Sequence, residues 1–362
     1  MGILTPEISP QEIRRFQSHL LNWFAEKQRP LPWRETRDPY RIWVSEVMLQ
    51  QTQVKTILEY YPKFIDRFPT LEDLSRTDLA DVLKYWEKMG YYARARNLHQ
   101  AAQKVVQDFA GKIPENYPEF RGLPGVGEYI AAAVLSLAFG QPFAVVDGNV
   151  KRVLARRFLL ETPVNQSSAK RAFQNLADLL LAREQPANFN QAIMELGALI
   201  CRPQNPLCAE CPVQTGCRAF ETGRQTEFPV SVKPKPVPHY HLAAGIIFLG
   251  EKMLIVKRPA AGLLGGLWEF PNERLQPNEQ PEPACRRILQ ELTGLEVELK
   301  TFVTQIKHAY THFKITMEIF RGDWIRGEVN LNGPADFRWI KPSEMTDFAF
   351  TGATHKFMRL VK

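Results

Sequence analysis

The sequence predicts two domains of different class, an all-α domain followed by a smaller α+β domain. Three observations carry this expectation. At 362 residues the chain exceeds one ordinary domain. Up to about residue 220 the apolar residues recur at helical spacing, broken by short turns, with scarcely a strand signal. Beyond a proline-rich stretch the pattern changes to β-rich runs around one helical segment. A hydrophobic content of 44% suffices for two buried cores, and no internal repeat is evident.

The elements follow in order. Ser9-Pro10-Gln11-Glu12 reads as a capping box with proline at the first helical position, and Ile13, Phe16, Leu20 and Phe24 continue at helical spacing. Leu31-Pro32-Trp33 breaks that helix. A second is expected from Val44 to Tyr61, stopped by Pro62; Thr70 caps a short one holding Leu74; and Ile130 to Phe139, rich in alanine, forms another. These place the first domain at residues 1–221. Residues 222–240, with Pro229, Pro234, Pro236 and Pro238, read as an extended linker. Residues 241–362 form the second domain, with strands expected at 242–249, 253–257, 296–302 and 315–320 and a helix at 283–292 in an antiparallel or mixed sheet.

Lys and Arg exceed Asp and Glu by seven, a basic excess compatible with nucleic acid without requiring it. The basic residues gather at Arg94 and Arg96 beside Tyr91 and Tyr92, at Lys151, Arg152, Arg156 and Arg157, and at Arg202, Arg218 and Arg224. The sequence shows neither a secretory signal nor an apolar run long enough to span a bilayer, so a reducing cytosol is expected.

In that compartment Cys201, Cys208, Cys211 and Cys217, spaced C-x6-C-x2-C-x5-C, read as a metal site rather than two disulfides. Zinc knuckles come as two tight pairs, and only Cys208 and Cys211 are tightly paired here. The uneven spacing favours a [4Fe–4S] cubane and leaves zinc open.

Between predicted helices stands Leu123-Pro124-Gly125-Val126-Gly127. Two glycines two apart permit a hairpin whose backbone N–H groups lead into a helix N-terminus, an anion site suited to a phosphate. Asp147 follows twenty residues after Gly127, in Val145-Val146-Asp147-Gly148-Asn149-Val150. Alone, each is a packing turn or a helix cap. Together with the cysteine loop they resemble the helix-hairpin-helix DNA glycosylase superfamily, in its iron–sulfur branch typified by endonuclease III, and within that branch the MutY-type adenine DNA glycosylases. The resemblance runs from Arg29 to Cys217. Its most specific stretches are 43–52, WVSEVMLQQT, and 90–98, GYYARARNL.

The resemblance implies a monofunctional enzyme of base excision repair that flips adenine, mispaired with 8-oxoguanine or guanine, out of double-stranded DNA and hydrolyses its glycosidic bond. Bifunctional members carry a lysine two residues after the hairpin; here that place is Tyr129, which cannot form a Schiff base, so no dedicated AP lyase is expected. Lys151 is a candidate for an adventitious trap only. By resemblance Glu46, in apolar surroundings that raise its pKa, protonates adenine N7. Asp147 stabilises or captures the oxocarbenium-like sugar, supported by Asn149 and Tyr129. Arg29, Trp33, Leu49 and Gln191 surround the flipped adenine. Gln51 and Tyr91 wedge into the duplex, with Thr52 near the opposite base, Met89 where relatives have leucine, and Leu123, Gly125, Val126 and Gly127 on the backbone. The four cysteines become [4Fe–4S] ligands, and a monomer acting in the cytoplasm of a bacterium, associated with the nucleoid, is implied.

The second domain is similar to the Nudix fold, notably over 262–271, GLLGGLWEFP. A Nudix hydrolase needs R-E-x-x-E-E to hold magnesium; the matching run is Arg287-Ile288-Leu289-Gln290-Glu291-Leu292, with two of three glutamates replaced. A reader of 8-oxoguanine is therefore expected. Oxidation turns guanine N7 into a donor. Family members meet it with a Phe-Ser-His loop, which here is Tyr310-Thr311-His312. The competing readings are a bifunctional pyrimidine glycosylase/lyase, a nucleotide-sanitising Nudix pyrophosphohydrolase and a non-enzymatic iron–sulfur DNA-binding protein. Tyr129, the missing glutamates, and the presence of Glu46 and Asp147 respectively argue against them.

Overall fold

The computed structural model of the protein describes residues 8–233 and 235–361, so that Pro234 of the linker stretch lies outside the described residues. The chain forms two compact units, one of residues 1–75 and 100–234, the other of 76–99 and 235–362.

Helices in chain order are α1 (Pro10–Lys27), α2 (Pro39–Leu49), α3 (Val54–Arg67), α4 (Leu71–Arg76), α5 (Leu79–Tyr85), α6 (Ala93–Phe109), α7 (Tyr117–Arg121), α8 (Glu128–Phe139), α9 (Gly148–Phe158), α10 (Ala169–Leu180), α11 (Pro186–Leu199) and α12 (Arg218–Glu221). The capping box of α1 is formed: Glu12 N–H donates to Ser9 Oγ at 3.2 Å and Ser9 N–H to the Glu12 carboxylate at 2.8 Å. Thr70 and Asp73 repeat the reciprocal pattern ahead of α4.

The helix expected over 44–61 is two helices. Asp38 caps α2, accepting from Tyr40 N–H at 2.9 Å with Pro39 at its first position, so α2 starts five residues early and ends at Leu49. Gln51, in the left-handed region at φ 57°, turns the chain, and α3 then runs through Pro62 rather than stopping there. The proline costs α3 one backbone bond, yet Ile57, Tyr61, Phe64 and Ile65 bury a stripe on either side that holds the helix.

The core of the first unit gathers Phe16, Leu20 and Phe24 of α1 with Val150, Val153 and Leu154 of α9, Phe173 and Leu176 of α10, and Phe189, Ile193 and Leu196 of α11. The start of the expected linker belongs to this unit. Phe228 is buried, Val164 N–H donates to Val230 C=O at 2.9 Å, and Asn165 pairs with the backbone of Val232 in both directions.

The second unit carries one mixed sheet of β1 (His239–Leu249), β2 (Lys252–Lys257), β3 (Trp268–Glu269), β4 (Asn272–Arg274), β5 (Glu296–Ala309), β6 (Lys314–Arg326) and β7 (Asp336–Ile340), with α13 (Pro281–Thr293). The order is β3-β2-β1-β6-β5, with β4 beside β1 and β7 beside β2; β1 and β6 run parallel, the other pairs antiparallel. Ala243 and Ile247 of β1 face Ala284, Cys285, Ile288 and Leu289 of α13, while Ala244, Ile246 and Phe248 face Trp268, Phe270, Phe350 and Phe357. Both faces of β1 are thus covered, which explains its uninterrupted apolar run.

Residues 76–99, which the sequence boundaries assign to the first domain, pack within the second unit. The cause is specific bonding: Lys84 Nζ donates to Phe348 C=O at 3.1 Å and Arg96 Nη1 to Gly265 C=O at 2.8 Å.

Candidate active site

Helices α2, α8, α9 and α11 of the first unit surround a cavity of about 180 Å³ lined by, among others, Glu46, Tyr129, Asp147, Asn149, Arg29 and Gln191. Glu46 sits on α2, which is apolar on nearly all sides, and is buried with Trp43, Val44, Val47 and Met48. Tyr129, in the first turn of α8, donates its hydroxyl to the Glu46 carboxylate at 2.7 Å. Burial pushes the Glu46 carboxyl up to about 7; the Tyr129 bond opposes this and the nearby Asp147 adds to it.

Asp147 is the N-cap of α9. Its carboxylate accepts from Val150 N–H at 2.7 Å and from Asn149 Nδ2 at 2.8 Å. Burial raises its carboxyl too, and the shift stays upward although these donors and the N–H of Asn149 oppose it. Asp147 therefore has several donors stabilising its charged form where Glu46 has one hydroxyl.

The lining also holds a charge cluster that sequence reasoning missed in part. Glu195, one turn after Gln191 on α11, is buried. It accepts from Arg29 Nε and Nη2 at 2.8 and 2.6 Å and from Arg34 Nη1 and Nη2 at 3.1 and 2.9 Å. Burial would raise this carboxyl, but the two guanidinium groups win and hold it at about 2. The i, i+4 spacing of Gln191 and Glu195 was the available signal. Buried Asn190 was missed as well: it bonds Val145 N–H, Phe143 C=O and Ser136 Oγ, fixing the chain that leads into Asp147.

Trp33, Leu49 and Thr52 line the same cavity, whereas Gln51 is exposed and outside it. Lys151 is also outside its lining; its ammonium donates to Val164 C=O at 3.2 Å. In the hairpin, Gly125 takes φ 74°, which only glycine adopts freely, and Gly127 caps α8. The side chains of Leu123 and Val126 are buried, and Val126 N–H is spent on Leu123 C=O at 3.1 Å. The outward donors expected of this turn therefore exclude Val126.

The four cysteines line one cavity of about 40 Å³ together with Val153, Arg156 and Arg157. Among the described residues no three His, Cys, Asp or Glu side chains converge closely enough to share a single metal ion. Burial raises the Cys211 thiol to about 12 and raises Cys217 as well, while the backbone N–H groups of Val213 and Phe220 favour their thiolates.

The three arginines of the basic run on α9 do not face solvent. Arg156 Nη1 lies 3.4 Å from Cys201 Sγ and donates to Arg202 C=O, Arg156 Nη2 donates to Pro203 C=O, and Arg157 Nη1 to Val213 and Thr215. Arg152 bonds Cys201 C=O at 2.7 Å and Asn149 Oδ1 at 2.9 Å. An irregular loop has no partners of its own for these carbonyls, and the buried guanidinium groups supply them.

In the second unit Tyr91, at φ 49°, is exposed, and its hydroxyl lies 2.8 Å from that of Thr311. Met89 is buried. His312 is exposed and Tyr310 half-buried. On α13, Ile288 and Leu289 are buried in the core and Glu291 pairs with Arg287 at 2.7 Å.

The fold and its relatives give the class as a DNA glycosylase, a hydrolase. Residues 44–178 match the HhH-GPD superfamily base excision DNA repair protein family and 243–360 the NUDIX domain. The chain is 34% identical to the adenine DNA glycosylase of Homo sapiens, over 96% of this chain and 74% of that one. It is 30% identical to that of Schizosaccharomyces pombe, over 92% and 86%. The solved structure of a thermostable thymine-DNA glycosylase is 33% identical, with TM-score 0.55, over 59% of this chain and 98% of that one. Endonuclease III bound to DNA shares the fold, with TM-score 0.51 at 22% identity, over 60% of this chain and 99% of that one. The chain belongs to the adenine DNA glycosylase family.

Proposed function

We propose that the protein excises adenine mispaired with 8-oxoguanine or guanine by hydrolysis, without a dedicated lyase step. The observation that carries this is the pair of carboxyls lining one cavity, Glu46 on a single hydroxyl with its carboxyl at about 7, and Asp147 on a fuller set of donors. With adenine flipped into the cavity, Glu46 delivers its proton to N7, so that the base leaves neutral. Positive charge develops on the sugar, and ionised Asp147 stabilises it or forms a transient bond to C1′. Water adds its hydroxyl to C1′ and its proton returns to Glu46. Arg29, held by Glu195, and Gln191 read the adenine edge, with Trp33 and Leu49 packing its faces. Gln51 and Tyr91 serve as wedges, and the Gly125–Gly127 hairpin holds backbone phosphate.

Cys201, Cys208, Cys211 and Cys217 would hold a [4Fe–4S] cluster, which ties the loop into a fixed shape. Arg156 and Arg157 offset its negative charge. In the second unit Thr311 offers an acceptor to the N7 proton of 8-oxoguanine, flanked by Tyr310 and His312. The altered helix at 287–292, with Ile288 and Leu292 where two glutamates would stand, favours reading over nucleotide hydrolysis. The protein acts as a monomer on double-stranded DNA in the bacterial cytoplasm.

A duplex with one A:8-oxoguanine pair tests the reading. Incubation followed by hot alkali should give strand breaks at the adenine position, and omission of alkali should leave the strand intact. No alkali-labile product would refute it.

A further inference from the structure

A half-buried acid that the chemistry above does not use stands in the second unit. Glu87 follows α5, on the segment that ends in Tyr91. Its Oε1 accepts from Phe350 N–H at 3.1 Å and lies 3.0 Å from His355 Nε2; its Oε2 accepts from Lys84 Nζ at 3.0 Å. Lys84 in turn reaches Phe348 C=O. Burial alone would push the Glu87 carboxyl up, but these donors hold it at about 2. Phe348 to His355 belong to the C-terminal part of the sheet-bearing chain, 250 residues and more away in sequence.

Two further ties converge on the same segment. Arg96 Nη1 donates to Gly265 C=O, and a Cβ on Gly266 would come within 3.2 Å of Leu83 Cδ1, so the 258–267 loop is pressed against α5. At the tip Lys88, Gly90 and Tyr91 all have positive φ (70°, 71° and 49°), an arrangement a free loop would relax. The Arg94 guanidinium stacks 5.4 Å from the Trp86 ring and 5.3 Å from Tyr91. The Tyr91 hydroxyl then meets Thr311.

We propose that Glu87 is a positioning residue for lesion recognition: it latches the Tyr91 segment to the 348–355 segment so that Tyr91 and Thr311 form one preassembled reading head. This rests on the reading of Thr311 given above. A prepositioned pair loses less freedom on meeting the damaged base, and that gain applies opposite 8-oxoguanine and not opposite guanine, which offers no N7 proton.

The test compares single-turnover excision of adenine opposite 8-oxoguanine and opposite guanine in the full-length protein. Glu87→Ala should lower the ratio of the two rates about tenfold, chiefly through the 8-oxoguanine duplex. Glu87→Gln, which keeps an acceptor for Phe350 N–H, should recover much of it. A double-mutant cycle of Tyr91→Phe with Thr311→Val should show coupling in the wild-type background and none beside Glu87→Ala. A ratio within twofold of wild type in both Glu87 variants would overturn the latch, as would equal losses on both duplexes with a lowered melting temperature. A wild-type protein that excises no adenine, or shows no preference for the lesion, would instead sink the underlying reading.

Discussion

The cavity of the first unit and helix α13 of the second treat acidic residues in opposite ways. Around the cavity Glu46, Asp147 and Glu195 are kept under cover, each with different partners, and their carboxyls are driven apart: about 7 for Glu46 and about 2 for Glu195. On α13 the positions a metal-dependent hydrolase would fill with acids are occupied by Ile288 and Leu292, with Ile288 in the core, and Glu291 is tied to Arg287 at the surface. Buried ionisable groups are costly to fold around and persist where chemistry uses them. The proposed division of labour, bond breaking in the first unit and recognition in the second, follows this contrast.

The sharpest way to break that contrast is at the two carboxyls. Glu46→Gln and Asp147→Asn should each slow single-turnover excision by about a thousandfold or more while duplex affinity stays near wild type. A near-normal rate for either would remove it from the chemistry. Next comes the charge cluster. Glu195→Gln leaves Arg29 and Arg34 facing a weaker acceptor, and the expected loss is about ten- to a hundredfold in kcat/KM, read by steady-state kinetics. An unchanged value would make the cluster purely structural. In the second unit, Thr311→Ala should lower the preference for 8-oxoguanine over guanine by roughly tenfold, since one hydrogen bond to an otherwise unmatched donor is lost. The smallest effect is at Glu291: its change to Gln should alter neither excision nor the rate of nucleoside triphosphate hydrolysis with magnesium, which should stay at background. A measurable hydrolysis that this variant abolished would restore enzymatic work to the second unit.

Local signals carried much of the fold. The caps at Ser9 and Thr70, the alanine-rich α8 and the long strands were legible because each rests on neighbours a few residues away. The turn at Gln51 was not, since helical periodicity runs straight through 44–61 and only the packing of α2 and α3 breaks it. Strands β3, β4 and β7 span two, three and five residues, too short for an alternation to show. In the site, Glu46, Tyr129, Asp147 and the cysteines were legible through motifs. Glu195 and Asn190 were not, because their meaning depends on Arg29, Arg34 and Val145, which only the folded chain brings near. The arginines of α9 were legible as a cluster but not in direction: they turn inward to satisfy the cysteine loop, where a solvated, DNA-facing stripe would show the same sequence.

The central claim is that Glu46 carries the proton while Asp147 carries the charge, and the pH profile of single-turnover adenine excision tests it most directly. A general acid works only when protonated, so the rate should be lost as pH rises through the Glu46 carboxyl, at about 7. Tyr129→Phe removes the hydroxyl that favours the carboxylate form, so it should move that alkaline limb to higher pH. A rate that stays flat from pH 6 to about 9, in the wild type and the variant alike, would contradict the account.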